Sequence, residues 1–345
     1  MEKFTVNGLE VGGPDCYIIA EIGQAHDGSL GSAHAYIDAV AQAGANAVKF
    51  QTHIASEEST KHEQFRVRVF PQDETRYEYW KRMEFTKEQW KGLYEHAQRV
   101  GLDFLSTPFS AAAVELLEEL NVPAYKIGSG DTGNTALLEA VAKTGKPVLL
   151  SSGMSSFVEL EESFASLKAT NSLGLFQCTT SYPCPAEEIG YNVIDDLASR
   201  FQCPIGLSDH SGKIYPSLAA VARGAKMIEV HAVFSKRCFG PDTSSSLTIE
   251  ELTELVEGVR FIEKGLNCKI DKSLMASNRQ ETKVLFSRSA FCIKELNAGE
   301  ILTEAHFAMK KPGGGLSIEE ARNLIGKKVT KNLGFDDYIC VGDFQ

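Results

Sequence analysis

Short runs of β-branched, aromatic and other apolar residues alternate along this chain with stretches whose apolar positions recur every three or four residues. The first pattern suits strands buried on both faces and the second suits amphipathic helices, so their alternation predicts repeated βα units around a parallel sheet. Eight runs stand out: CYIIAEI (16–22), NAVKFQT (46–52), DFLSTPF (103–109), AYKIGS (124–129), PVLLSSG (147–153), LGLFQCT (173–179), PIGLSDH (204–210) and MIEVHAVF (227–234). Eight is the count that closes a barrel. Between them SLGSAHAYIDAVAQAGA and AAAVELLEEL read as helices, and TIEELTELVEGVRFIEKGL opens with Thr248 and Glu251 at the spacing of a capping box. The expected fold is α/β, a (β/α)8 TIM barrel over about residues 10–268 within a catalytic domain at 1–268. A doubly wound open sheet is the rival, but the Gly-x-Gly-x-x-Gly turn that usually follows its first strand is absent.

The pattern changes after the last barrel helix. Residues 269–285 are polar and only weakly periodic, as in a linker. From 286 to 345, SAFCI, GEIL and HFAMKK read as short strands and SIEEARNLIG as a helix capped by Ser317, with Gly-rich turns between. A β-rich domain of about sixty residues is marginal alone, so it is expected to pack on another surface.

Composition narrows the function. The 345 residues include 35 basic and 46 acidic side chains, a net charge of -11 with no Lys/Arg run, which opposes nucleic-acid binding. No basic segment leads into an apolar stretch, and nowhere do about 18 apolar residues run together, so a cytoplasmic protein without membrane contact is expected. The 8 cysteines are dispersed without a Cys-x-x-Cys pair and read as reduced and mostly buried. Cys238 follows His231 closely, but no second thiol accompanies it at ligand spacing.

Polar residues punctuate the strand ends, which meet on one face of a barrel, where active sites of this architecture are built. They are Glu21; Lys49, Gln51 and Thr52; Thr107; Lys126 and Ser129; Ser151 and Ser152; Thr179, Thr180 and Tyr182; Ser208, Asp209 and His210; Glu229 and His231. Taken singly, a strand-end Ser or Thr usually caps the next helix, and a lone histidine is usually structural. Lys49 and Lys126 are harder to set aside, because a buried ammonium needs a partner or a substrate anion. Two inward lysines among hydroxyls suit a small, doubly anionic ligand. His210 and His231 end successive strands and so lie close together, a pair suited to a divalent transition ion with open positions for water or substrate. Asp209 and Glu229 are candidate further ligands, though alternation turns at least one of them away from the mouth.

At this point the motifs AEIGQAHDGSL, AVKFQT, FLSTPF, YKIGSGD, VLLSSGM, CTTSYPCPAEE, GLSDHSG and GPD, in this order and spacing, resemble the sialic acid synthase family, which makes nine-carbon sugar acids from phosphoenolpyruvate. The tail SRSAFCIKELNAGEILTEAHFAMKKPGGGLS is similar to that family's C-terminal antifreeze-like (SAF) domain. The resemblance implies that Lys49, Thr107, Lys126, Ser129, Ser151 and Ser208 hold phosphoenolpyruvate. It assigns His210 and His231 to a catalytic metal, Mn2+ first and Mg2+ or Co2+ next, and places Glu21 near the reacting centre. Gln51, Tyr182 and Asp242 fall around the acceptor, an N-acyl hexosamine, and Thr180 and Lys311 stand at acceptor positions where the family commonly has Asn and Arg. It also implies a domain-swapped homodimer in which the tail covers the partner's barrel.

The implied reaction joins C3 of phosphoenolpyruvate to the aldehyde of the open-chain sugar, adds water at C2 and expels phosphate. Departures from the family pattern, Thr180, Ala25 before His26 and Lys311, fall mainly on the acceptor side, and Lys lacks the planar fork of Arg. N-acetylmannosamine is the leading acceptor, with 2,4-diacetamido-2,4,6-trideoxymannose, leading to legionaminic acid, as the alternative. The shorter sugar-phosphate synthases need a second arginine cluster for the acceptor's phosphate, which the strand ends lack. A barrel hydrolase would show His-x-His on its first strand, and a non-enzymatic ice- or polysaccharide-binding role for the tail would leave both lysines and both histidines without work. The segment 53–85, rich in charge and aromatics, is an expected lid.

Overall fold

A computed structural model describes residues 3–345 apart from positions 69 and 171. The eight expected strands form at Tyr17–Glu21, Ala47–Thr52, Asp103–Pro108, Tyr125–Ile127, Val148–Ser151, Leu173–Cys178, Ile205–Asp209 and Met227–Val233. Each pairs in parallel with the next, and the eighth pairs with both the seventh and the first, which closes the barrel. A two-residue strand, Leu247–Thr248, adds to the eighth outside the ring. Among the described residues no helix is long and apolar enough to cross a membrane.

The runs are apolar almost throughout because both faces of each strand are covered. Ile18, Val48, Phe104, Leu150, Leu175 and Ile228 join one cluster with the surrounding helices. The alternate positions Ile19, Ala47, Leu105, Leu149, Phe176 and Met227 join a second cluster inside the ring. Burying each large aliphatic side chain contributes about 1.5–3 kcal/mol, so this double layer is the main source of stability.

One element escaped the sequence reading. Phe4–Val6 and Leu9–Val11 form an antiparallel hairpin whose turn, Asn7-Gly8, has φ of 45° and 87°. Asn-Gly is the usual pair for a turn that needs both angles positive. Phe4, Val6 and Val11 belong to the inner cluster, so the hairpin closes the end of the barrel opposite the strands' C-termini. Asn7 Nδ2 and Tyr17 Oη donate to the Asp103 carboxylate there, at 3.0 and 2.6 Å.

The chain divides into two compact units after Cys268. In the second, the polar stretch assigned to a linker contains two short helices, Lys272–Ser277 and Gln280–Phe286. None of their residues is buried, so no apolar stripe announced them. Ser289–Cys292 and Phe307–Lys310 pair antiparallel, and Ile318–Arg322 is capped by Ser317 as expected. GEIL contributes only an isolated bridge at Ile301, while Leu302 sits in this unit's own core with Cys292, Phe307 and Leu324.

Inside the barrel Gly206 lies against bulk. A Cβ there would stand 2.6 Å from Met227 O and 2.7 Å from the Phe176 ring. Gly206→Ala is therefore expected to lower stability by about 1–3 kcal/mol through overpacking. Urea denaturation followed by circular dichroism measures it, and an unchanged midpoint would show that this layer is not tight.

Candidate active site

Alternation along the strands turns the sequence pattern into a stack of layers. Above the inner apolar cluster, the next inward positions are Glu21, Lys49, Thr107, Lys126, Ser151, Cys178, Ser208 and Glu229. Register fixes the neighbours: Glu21 pairs with Lys49 on one side and His231 on the other, and Ser208 pairs with Cys178 and Glu229. Gln51, His210 and His231 form the next turn of the pleat towards the strands' C-terminal ends. The result is a cavity of about 430 Å³.

Two lysines and two carboxylates form its floor. Lys49 Nζ lies 2.8 Å from Glu21 Oε2 and donates to Thr107 Oγ1 at 3.0 Å. Lys126 Nζ donates to Ser151 Oγ at 2.6 Å and to Glu229 Oε1 at 3.2 Å, and Ser208 Oγ donates to the same oxygen at 3.2 Å. Lys49 Nζ is 3.9 Å from Glu229 Oε1, so one carboxylate links both ammonium groups. Burial pushes the Lys49 ammonium down, but Glu21 and Glu229 together outweigh it and leave its pKa raised. Burial pushes Glu229 up, and Lys126 and Lys49 overcome that, so it ends below the usual carboxylate range. Lys49 and Glu229 are thus both held charged. Glu229 Oε2 is buried and takes no hydrogen bond. Glu229 Oε1 serves the lysines, and among the described residues Glu229 does not group with the histidines as a third metal ligand.

The histidine pair stands on the adjoining wall. The His210 and His231 ring centroids are 5.4 Å apart, with Tyr182 4.2 Å from His210. His210 Nδ1 lies 3.1 Å from Thr179 O. Since a carbonyl only accepts, the proton is on Nδ1 and the Nε2 lone pair is left available. Burial, with His231 nearby, pushes His210 down to about 3, which keeps the imidazole neutral at pH 7. Such a pair fits an exchangeable divalent ion that draws its other ligands from water or substrate. Among the described residues no group of three or more His, Cys, Asp or Glu side chains is arranged to hold a metal. Cys178 Sγ lies 3.9 Å from His210 Nδ1, but burial raises its pKa and it stays a thiol. Asp209 turns away and accepts from Ser211 N and Oγ at 3.1 and 2.7 Å. It is no ligand, and neither is Cys238, which is exposed and outside the cavity.

The barrel residues that the resemblance assigned to the site all line this cavity, including Ser129, Thr180 and Asp242, whereas Thr52, Ser152, Thr179 and Asp209 do not. Lys311 is in the other compact unit, with its Nζ 5.2 Å from the Phe286 ring. The sequence reading missed a further set of wall residues: Gln24, His53, Glu58, Glu63, Arg66, Arg76 and Trp80. Most come from 53–85, which carries helices Ala55–Glu58 and Arg76–Met83 and its own cluster of Phe70, Tyr79, Trp80 and Met83. Arg66 lies over the Tyr182 ring at 4.3 Å and pairs with Asp242 at 2.5 Å. Arg76 pairs with Glu63 at 2.9 Å. A signal for His53 existed, since it directly follows the strand run that carries Lys49 and Gln51.

A model of the NeuB family matches residues 36–271. The chain is 34% identical over 329 residues to N,N'-diacetyllegionaminic acid synthase of Campylobacter jejuni, covering 93% of this chain and 98% of that protein. It is 36% identical over 348 residues to N-acetylneuraminate-9-phosphate synthase of Homo sapiens, covering 96% of this chain and 94% of that protein. Among solved structures, N-acetylneuraminic acid (sialic acid) synthetase of Leptospira borgpetersenii in complex with citrate superposes with a TM-score of 0.72 at 33% identity, over 82% of this chain and 96% of that chain.

The floor makes a stability prediction. Glu229→Leu leaves Lys49 and Lys126 short of a carboxylate and should destabilise by about 3–5 kcal/mol. Adding Lys126→Met, which removes one stranded ammonium, should restore part of that loss. Denaturation midpoints of the single and double variants measure the coupling, and additive losses would show that Glu229 and Lys126 do not act as a pair.

Proposed function

The chain belongs to the NeuB family, and on that premise we propose that it is a nonulosonic acid synthase whose acceptor is N-acetylmannosamine and whose product is N-acetylneuraminate. Members of the family are phosphoenolpyruvate-dependent transferases that act on N-acyl sugars. The observation that carries the reading is the meeting, in one cavity, of paired lysines, four hydroxyls, a carboxylate and two histidines.

In this reading Lys49, Lys126, Thr107, Ser129, Ser151 and Ser208 hold the phosphate and carboxylate of phosphoenolpyruvate. Each ammonium has three donors, and the carboxylates of Glu21 and Glu229 leave some of them for the ligand. Fixed donors around the phosphate favour its departure without reorganisation. The new bond joins phosphoenolpyruvate C3 to the aldehyde carbon, water adds at C2, and the C2 phosphate leaves. Glu21, oriented by Gln51 Nε2 at 2.7 Å, is the group placed to handle a proton of the new hydroxyl or of that water. A divalent ion on His210 and His231, Mn2+ first, supplies Lewis acidity at the acceptor carbonyl oxygen when bound. Gln51, Thr180, Tyr182 and Asp242 face the sugar. Arg66 and Arg76 each have a carboxylate partner, which supports an unphosphorylated acceptor. The proposal includes a homodimer, with Lys311 as an acceptor residue.

One observation favours legionaminic acid synthesis as a second reading. Phe65, Val67, Phe70, Tyr79 and Pro241 line a small recess of about 50 Å³ that shares Gln24, Arg66, Arg76 and Trp80 with the main cavity. Its apolar wall suits a methyl terminus, which 2,4-diacetamido-2,4,6-trideoxymannose has and N-acetylmannosamine lacks.

Phosphate release from phosphoenolpyruvate with Mn2+ tests both. Release is expected only when an N-acyl sugar is also present, to be suppressed by chelation, and to fall on the order of a hundredfold or more in His231→Ala. A higher kcat/KM for N-acetylmannosamine supports the first reading and a higher value for the trideoxy sugar the second. Silence with both sugars would refute the proposal. Lys311→Ala is expected to raise KM for the sugar and leave that for phosphoenolpyruvate unchanged.

A further inference from the structure

His53 follows directly on the strand that carries Lys49 and Gln51 and lines the same cavity. Its imidazole is buried between two aromatic rings, Trp80 at 3.9 Å and 16° and Phe109 at 4.5 Å and 8°. Packing alone would be met by any flat ring. The polar contacts ask for more. His53 Nδ1 lies 2.6 Å from Glu58 Oε1, and His53 Nε2 lies 3.2 Å from Gln51 Oε1 and 3.2 Å from Gln24 Nε2.

The donor and acceptor roles along this chain are constrained from both ends. An ionised Glu21 only accepts, so Gln51 must present its NH2 group there, as it does at 2.7 Å. Its carbonyl oxygen therefore faces Gln24 and His53, and Gln24 Nε2 donates to it. At the other end Glu58 likewise only accepts, which places a proton on His53 Nδ1; Nε2, without a proton, then accepts from Gln24 Nε2, whose other hydrogen goes to Gln51 Oε1. The other oxygen of Glu58 is buried without a hydrogen bond, so this carboxylate is committed to His53. A carboxylate that fixes a histidine, which in turn fixes a side chain at the reacting centre, is a common orienting device.

We propose that His53 is a positioning residue that, held by Glu58 and by the slot between Trp80 and Phe109, fixes the Gln24 amide and through it Gln51 and the carboxylate of Glu21. The inference rests on the synthase reading for the importance of Glu21. It also gives the segment 53–85 a task at the reacting centre, because Glu58 and Trp80 both come from that segment and both set the His53 ring.

The test compares His53→Phe, which keeps a flat ring in the slot, with Gln51→Ala and the double variant in the phosphate-release assay. His53→Phe should lower kcat on the order of tenfold to a hundredfold, the size expected for a misplaced reacting group. KM for phosphoenolpyruvate should stay within about twofold, because the lysines and hydroxyls that hold it are untouched. The double variant should be no worse than about threefold below the poorer single one, since both break the same chain. A kcat within twofold of wild type, losses that multiply, or a rise in KM that accounts for the whole effect would each overturn the inference. A crystal structure of His53→Phe decides it independently of turnover: Gln51 rotated away from Glu21 supports it and an unmoved Gln51 overturns it. An inactive wild type would refute the synthase reading while leaving that structural outcome decisive.

Discussion

Two ammonium groups and two carboxylates stand inside the barrel within reach of one another, and the structure above and below them depends on keeping all four satisfied. None can be moved from water into the interior alone without a cost of several kcal/mol. Lys49 is shared by Glu21, Thr107 and Glu229, and Lys126 by Ser151 and Glu229, so each ammonium meets a carboxylate and a hydroxyl. The apolar cluster beneath, closed by the N-terminal hairpin, keeps water from the other end. Charges held in this way are preorganised: their directions are set before any ligand arrives.

That floor has little net charge, which shapes how it can recognise an anion. Attraction at long range is weak, since the whole chain is acidic. In the proposed function, recognition falls to short-range donors, the hydroxyls of Thr107, Ser129, Ser151 and Ser208 and the remaining ammonium hydrogens. The wall above is different in character. Arg66 bridges Tyr182 and Asp242, Arg76 meets Glu63, and His53 is clasped by Glu58. The floor thus sits on the barrel strands, and the wall is completed by the segment 53–85.

The strands and their inward residues were legible because a closed parallel barrel imposes one simple rule, an inward residue at every second position. Once eight runs are found, Glu21, Lys49, Lys126, Ser208, His210 and His231 fall on one face by counting. Where both faces of a strand are buried, as for Asp209 beside His210, counting also tells which carboxylate must turn outward. The hairpin at Phe4–Val6 was harder to see, because its strands are three residues each and only Asn7-Gly8 marks it. The two helices after Cys268 bury no residue, so no periodicity betrays them.

By itself the sequence determined the barrel, the order of its strands and the polar residues at their ends, since these follow from local periodicity. It could not say which charges pair, because Lys126 and Glu229 are 103 positions apart and meet only when the ring closes. Nor could it show that Glu229 serves lysines and not a metal, that Arg66 reaches Asp242, or that His53 points back to Gln51. Arg66 and His53 belong to the segment 53–85, which packs through Phe70, Tyr79, Trp80 and Met83 among themselves. Local pattern fixes where a side chain starts, and only the closed tertiary structure fixes which group it meets.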